Sequence, residues 1–176
     1  MDKTLIQWKF DSSIIHTYTG HKDVVNSCAI SHDCQRAVSC SRDKTLKLWD
    51  TKSGESLVTF EGHTAIVQDC AFSPDGQSIL SASDDNTGRI WDLQGNVICT
   101  LDGHTKVVWG CDWSPDSQHV LTSSKDKTIR IYTIDGQFVR SLEGHSNGIW
   151  RSKFAQDGSA ILSASDDKTA KMWSVV

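Results

Sequence analysis

Short hydrophobic segments alternate with clusters of turn-forming residues along the whole chain. In one stretch, the apolar segment 66–72 is followed by Ser-Pro-Asp-Gly, and segments 78–82, 87–91 and 97–101 follow, separated by Asp, Asn or Gly residues. Turn signals spaced by about 8–12 residues are typical of an antiparallel all-β protein. The pattern therefore predicts four short strands in this stretch, and the sequence shows no helical periodicity anywhere.

The third strand of each such group alternates between apolar and basic positions. The apolar positions are Leu46, Leu48, Ile90, Ile129, Ile131 and Met172, and the basic positions are Lys47, Arg89, Arg130 and Lys171. Because successive side chains of a strand point to opposite faces of its sheet, we expect the two sets to lie on opposite faces.

The groups repeat with a period of 41 to 42 residues. Each contains a Gly-His pair, and an aromatic residue follows 29 residues after the Gly. The Gly-His pairs are Gly20-His21, Gly62-His63, Gly103-His104 and Gly144-His145, and the aromatic pairs are Trp49-Asp50, Trp91-Asp92, Tyr132-Thr133 and Trp173-Ser174. Repetition at this period predicts stacked four-stranded units.

These motifs, together with Ser-Pro-Asp-Gly and Ser-x-Ser-x-Asp-x-Thr, resemble the WD-repeat β-propeller family over the whole chain. The resemblance implies an all-β propeller in which each blade is a four-stranded antiparallel sheet. We expect an N-terminal segment at 1–19 and four repeats at 20–61, 62–102, 103–143 and 144–176.

Each repeat also contains a His, a hydroxyl residue and an Asp, the residue types of a hydrolase triad. A hydrolase needs one such set beside an oxyanion hole, whereas four equivalent sets at one period favour a structural role. The resemblance implies that each set joins its aromatic residue in a hydrogen-bonded tetrad that stabilises the blade. These tetrads are His21, Ser39, Asp43 and Trp49; His63, Ser81, Asp85 and Trp91; His104, Thr122, Asp126 and Tyr132; and His145, Ser163, Asp167 and Trp173. Tyr132 replaces Trp in the third, so we expect that tetrad to be incomplete and that blade to open first.

The ends of the chain do not match in phase. The segment 2–8 matches 43–49, so we expect a surplus third-type strand there and a total of seventeen strands. The resemblance implies that segment 14–18 closes the last blade beside strand 169–173, within or between chains. The surplus strand would then be mobile or pair with another molecule. A fragment of a larger array and a self-associating ring both fit this pattern, and exposed strand edges favour association in either case.

The six cysteines are expected to be free thiols. Cys28, Cys70 and Cys111 share one repeat position, which suggests a small buried side chain, and no Cys-x-x-Cys spacing indicates a metal site. Net charge is −4, and the basic residues are evenly spread, which argues against a nucleic-acid partner. No apolar run is long enough for a membrane helix. We expect a cytoplasmic protein, with the nucleus also compatible, that uses no cofactor and no metal.

Partners of this family usually dock on the face formed by the loops at the channel entrance. The resemblance implies two sets of contact positions: Asn26, Gln68, Trp109 and Trp150, which lie five residues after each His, and Arg42, Asp84, Lys125 and Asp166, which precede each structural Asp. Alternatively, the two indoles pack against neighbouring loops as core. We expect a non-catalytic scaffold that binds a protein or peptide, with a substrate-recognition part of a ubiquitin ligase or a self-assembling structural unit as alternatives.

Overall fold

A computed structural model describes residues 3–175, and this part of the chain contains seventeen β-strands and no helix. The strands are β1 (Leu5–Trp8), β2 (Ile14–Tyr18), β3 (Val25–Ile30), β4 (Arg36–Ser41), β5 (Leu46–Asp50), β6 (Ser56–Phe60), β7 (Val67–Phe72), β8 (Ser78–Ser83), β9 (Gly88–Asp92), β10 (Val97–Leu101), β11 (Val108–Trp113), β12 (His119–Ser124), β13 (Thr128–Thr133), β14 (Phe138–Glu143), β15 (Ile149–Phe154), β16 (Ala160–Ser165) and β17 (Ala170–Ser174). The predicted all-β fold is confirmed. Residues 1–2 of the predicted N-terminal segment and residue 176 of the last repeat lie outside the described range.

The strands form five antiparallel sheets, and within each sheet consecutive strands are neighbours. β3–β6, β7–β10 and β11–β14 are four-stranded, β15–β17 is three-stranded, and β1–β2 is two-stranded. Each of the larger sheets comes from one repeat. The first strands of neighbouring repeats, β3, β7, β11 and β15, contact one another in sequence, so the sheets stack face against face around them.

The core lies between these stacked sheets. The first interface joins Val38, Leu46, Leu48 and Phe60 to Val67, Cys70, Ile79 and Trp91. The second joins Leu80, Ile90 and Leu101 to Val108, Cys111, Val120 and Tyr132. The third joins Leu121, Ile129 and Ile131 to Ile149 and Ile161, with Trp173 partly buried against them. Because each sheet covers the next, both of its faces carry apolar residues, and the aromatic residue of each repeat packs against the sheet before it.

The Gly of each Gly-His pair has a positive φ, a conformation that favours glycine. Gly62 has φ of +155°, which side-chain-bearing residues rarely adopt. A Cβ at this position would also lie 2.5 Å from the Arg89 guanidinium and 3.2 Å from the Trp91 ring. The Arg89 side chain of the third strand can therefore lie against the start of the repeat.

The predicted closure of the last blade is wrong within the chain. β2 pairs with β1, from Leu5 opposite Tyr18 to Trp8 opposite Ile14. The connection 9–13 closes the hairpin locally at small entropic cost, with the Lys9 amide donating to the Ser13 carbonyl at 2.8 Å. The surplus strand is therefore paired within the chain, and β2 does not pair with β17 in the described range.

The hairpin is fixed on the first four-stranded sheet by its inner side chains. Leu5 and Tyr18 pack with Ala37 and Trp49, and the Tyr18 and Trp49 rings meet edge to face at 5.5 Å. Trp8 remains 55% exposed. The N-terminal strand thus contributes to the core of the described chain instead of exposing all its apolar residues.

The described ends leave some repeat-equivalent positions uncovered. Cys28 was predicted to be buried like Cys70 and Cys111, but it is exposed, because β1 and β2 do not extend over β3. Likewise Met172 is on the predicted face of its strand yet is 79% exposed, since β15–β17 is the last sheet in the described range. Burial at a repeat position depends on a neighbouring sheet as well as on the residue.

Candidate functional site

The four His residues of the Gly-His pairs each bridge an Asp and a hydroxyl residue. In the second repeat, His63 Nδ1 lies 2.7 Å from the Asp85 carboxylate, and His63 Nε2 lies 2.7 Å from Ser81 Oγ. The Trp91 indole donates to the same Ser81 oxygen at 2.8 Å. The first and fourth repeats show the same three hydrogen bonds. Three of the sets therefore form a continuous Asp–His–Ser–Trp network.

Elementary hydrogen-bond chemistry fixes the direction of each bond in this network. An ionised Asp can only accept, so His21 Nδ1 carries the proton that it donates to Asp43. Burial lowers the pKa of His21, which favours the neutral ring whose Nε2 accepts from Ser39. The Ser39 oxygen in turn accepts from the Trp49 indole, which can only donate.

The Asp of each network is held as a carboxylate. Burial raises the pKa of Asp43, but hydrogen bonds from Thr45, the Lys22 amide and His21 outweigh it and lower the pKa to about 2. The same opposition lowers the pKa of Asp85, where His63 is the strongest hydrogen-bonding contribution. Each carboxylate therefore stays an acceptor at neutral pH and ties the start of its repeat to the turn before the third strand.

The third repeat departs from the others at its aromatic residue, as the sequence predicted. His104 contacts Asp126 at 2.8 Å and Thr122 at 2.9 Å. The Tyr132 hydroxyl, however, donates its single proton to the Asp102 carbonyl at 2.7 Å. Thr122 therefore does not receive the donated hydrogen bond that the other three hydroxyl groups receive from an indole.

The hydroxyl groups of these networks are inaccessible to a substrate. Ser39, Ser81 and Thr122 are fully buried, and Ser163 is 1% exposed. A nucleophilic hydroxyl has to reach both a substrate and an oxyanion hole. The four buried hydroxyl groups are closed off from any substrate. The geometry supports a role for the four networks in holding each sheet together.

The two rows of predicted contact positions meet in pairs that lie 16 residues apart in the chain. Gln68 donates to the Asp84 carboxylate at 2.9 Å, and the Trp150 indole donates to the Asp166 carboxylate at 2.5 Å. In the third repeat the pair is Trp109 and Lys125, whose ammonium lies 6.0 Å from the indole centroid.

In the first repeat the corresponding pair behaves differently. Asn26 donates to the Val67 carbonyl at 3.0 Å and lies at 3.5 Å from Gln68, so it contacts the next repeat. Its row partner Arg42 is exposed. The contacts of the predicted positions therefore differ from repeat to repeat.

The Trp109 and Trp150 rings stack on each other, with centroids 4.1 Å apart and planes 10° from parallel. Trp109 is half-buried, whereas Trp150 is 51% exposed. A cavity of about 290 Å³ is lined by this pair together with Asn26, Gln68 and Arg151. The alternative that both indoles form core is therefore wrong for Trp150, which offers much of its surface to solvent.

A buried carboxylate beneath this cavity was not predicted. Asp69 accepts hydrogen bonds from Ser27 at 2.8 Å, from the Cys111 amide at 3.3 Å and from the Arg151 guanidinium at 3.3 Å. It therefore connects all four repeats. At Gly110, in the intervening repeat, a Cβ would lie 2.9 Å from the Trp150 carbonyl oxygen, so glycine permits the close approach of β15. The signal in the sequence was one acidic residue inside a largely apolar strand.

The cysteines are all free. Burial raises the pKa of the Cys111 thiol well above its ordinary value, which favours the unreactive neutral form. Within residues 3–175, no cluster of His, Cys, Asp and Glu side chains has the arrangement of a metal site. The same range holds no helix that is long and apolar enough to cross a membrane.

Comparison with known proteins gives matches to proteins of the repeat type that the motifs suggest. Residues 1–175 match the family model described as IFT122 first beta-propeller. The small ribosomal subunit protein RACK1 of Saccharomyces cerevisiae is 39% identical over 61 residues, which cover 31% of this chain and 19% of RACK1. The WD40 repeat-containing protein smu1 of Dictyostelium discoideum is 45% identical over 42 residues, covering 24% of this chain and 8% of smu1.

A third relative is the WD repeat-containing protein 89 homolog of Dictyostelium discoideum, 40% identical over 45 residues that cover 26% of this chain and 12% of the relative. The chain thus spans less than a fifth of the length of each of these three relatives. The similarity to these relatives covers a length of only one to two repeats, whereas the family model spans nearly the whole chain.

Proposed function

Because the chain belongs to the WD-repeat family described as IFT122 first beta-propeller, we propose that it is a non-catalytic scaffold that binds a protein or peptide partner. The partner binds on the loop face, which we define as Asn26, Gln68, Trp109, Trp150, Arg42, Asp84, Lys125 and Asp166. The observation that carries the proposal is the stacked pair Trp109 and Trp150, half of one indole being open to solvent.

Exposed aromatic residues of this kind are typical of binding hot spots. Trp is enriched at such positions because a rigid indole buries a large area at little cost in conformational entropy. The stack, the Trp150–Asp166 hydrogen bond and the Lys125 contact hold the two rings in place before a partner arrives. Preorganisation of this type lowers the cost of binding.

The polar network beneath the loop face supports the same role. Asp69 joins Ser27, Cys111 and the cavity-lining Arg151 of three other repeats, so the sheets are cross-linked next to the cavity. A cross-link of this kind favours fixed separations between the loops of different repeats. This is what a surface needs if it is to recognise one partner through several loops.

Site-specific photo-cross-linking in cells that contain the protein and its partners tests the proposal. A photoreactive amino acid at Gln68, on the loop face, is compared with one at Gln77, in the turn at the opposite end of the same sheet. We expect discrete cross-linked species from position 68 and not from position 77, with the yield at 68 lost in Trp150→Ala. Equal cross-linking from both positions, or none from position 68, would overturn the proposal.

A further inference from the structure

The third and fourth repeats differ in the charged group that lies beside the indole of the loop face, Trp109 in one and Trp150 in the other. Trp109 has the ammonium group of Lys125 at 6.0 Å from its ring centroid. The equivalent of Lys125 in the fourth repeat is Asp166, whose carboxylate accepts from the Trp150 indole at 2.5 Å. Trp150 therefore has an anion at its edge, and no cation lies over its ring among residues 3–175.

Of the other charges around the cavity, only Arg151 has an ion-pair partner in the described range. Arg151 lines the cavity, but its guanidinium is paired with the buried Asp69 at 3.3 Å. Lys125 contacts the Trp109 ring. Asp84 and Asp166, by contrast, bond to the neutral donors Gln68 and Trp150, and neither has an ion-pair partner in the described range.

The loop face carries two acidic and two basic groups, and none of the four has an ion-pair partner in the described range. Arg42 belongs to the first repeat and Lys125 lies over the Trp109 ring, so Asp166 is the charged group in contact with Trp150. A carboxylate beside an open indole face is complementary to a cation that has both charge and a surface for stacking. The ring quadrupole attracts the cation, and the carboxylate accepts its hydrogen bonds.

We propose that Trp150 and Asp166 form a docking point for a basic side chain, Arg or Lys, of the partner segment. The inference rests on the proposed function and names the chemistry of its partner. Arg fits this point best, since its planar guanidinium stacks on an indole while its N–H groups reach a neighbouring carboxylate. The hydrogen bond from Trp150 Nε1 keeps Asp166 at the edge of the ring, where it can accept from such a group.

Two capped peptides test the inference on the purified chain. One is Gly-Ser-Gly-Arg-Gly-Ser-Gly, and its partner carries Glu in place of Arg. Binding is followed by NMR through the indole Nε1–H resonance of Trp150, assigned with Trp150→Phe, at peptide concentrations up to about 10 mM, which reaches the weak millimolar range. We expect the Arg peptide to shift this resonance and the Glu peptide to leave it unchanged.

Asp166→Asn is the decisive variant, because it removes the charge and keeps an oxygen that can accept from the indole. We expect Asp166→Asn to lower the affinity for the Arg peptide at least fivefold. We also expect added salt to weaken binding of this peptide to the unaltered chain. Asp33→Asn, in an exposed turn at the opposite end of the first four-stranded sheet, is the matched control and should change nothing. Circular dichroism shows that each variant is folded.

Three results would overturn the inference: preference for the Glu peptide, Arg-peptide binding that Asp166→Asn leaves unchanged, or no shift with either peptide. Each of these leaves the proposed function standing as long as cross-linking from position 68 still depends on Trp150. Loss of that position dependence is instead a failure of the proposed function itself.

Discussion

The Arg151 guanidinium lies 3.3 Å from the Asp69 carboxylate, although the two residues belong to the fourth and second repeats. The repeat between them has Gly110 at the equivalent position, where a side chain would crowd β15. Two residues at one repeat position therefore form a polar link, and the glycine at the same position of the repeat between them leaves room for it. Removing Asp69 should destabilise the fold more than removing Arg151, because the Arg151 side chain is 56% exposed and the Asp69 side chain only 4%.

Asp69→Ala is expected to lower the free energy of unfolding by about 2 kcal/mol, because the Ser27 hydroxyl and the Cys111 amide lose their acceptor. Arg151→Ala should cost less than about 1 kcal/mol, as is usual for an exposed ion-pair partner. Urea denaturation of the two variants measures the difference. An equal or larger loss for Arg151→Ala would contradict this account of the network.

His63→Ala should lower the thermal midpoint more than His32→Ala. The first change removes the group that bridges Asp85 and Ser81, leaving buried polar atoms unsatisfied at about 1–3 kcal/mol. His32 is exposed in a turn and serves as the matched control. Equal shifts of the thermal midpoint in a calorimetric scan would contradict a stabilising role for the networks.

The relationships that the sequence revealed are those that recur at the repeat period. His, hydroxyl, Asp and an aromatic residue stand at fixed offsets in every repeat, and the resemblance to the WD-repeat family implied their contacts and the exception at Tyr132. Strand positions followed from the same phase. The Asp69–Arg151 pair and the indole stack join positions whose residues differ between repeats, and periodicity carries no information on such contacts.

The predicted pairing of β2 with the last blade was wrong for a different reason. The phase of segment 2–8 correctly identified its strand type, but the family scheme assigned β2 to the last blade. The short connection to β1 and the contact of Leu5 with the first sheet favour the local pairing instead. Exposure of Cys28 follows from the same arrangement, because nothing in a single repeat tells whether its neighbour is complete.

Deleting residues 1–9 is therefore expected to destabilise the chain, in contrast to the expectation for a mobile strand. It removes Leu5 from the Tyr18 and Trp49 cluster and leaves β2 unpaired, which we expect to cost roughly 1–2 kcal/mol for partial burial of one Leu. Phe10→Ser, in the fully exposed turn, is the control and should have no effect. If chemical denaturation gives the same midpoint for the deletion and the full chain, the hairpin is not part of the core.

The serine hydroxyls should not react with a fluorophosphonate probe. Ser81 is fully buried and committed to His63 and Trp91, and Ser39 and Ser163 have the equivalent bonds. Mass spectrometry of the treated native chain is expected to find all three unmodified, while a serine hydrolase treated in parallel is labelled. Stoichiometric modification of any of them would show that a network is accessible and activated.

The central claim is that the His networks stabilise the sheets whereas the loop face binds the partner. The most direct measurement is the cross-linking yield from position 68 in Trp150→Ala and in His63→Ala, at a temperature where both variants are folded. The account predicts loss of the yield in Trp150→Ala with only a small fall in the thermal midpoint, and retention of the yield in His63→Ala with a larger fall. If the cross-linking yield instead falls in each variant in proportion to the drop in its thermal midpoint, the central claim is contradicted.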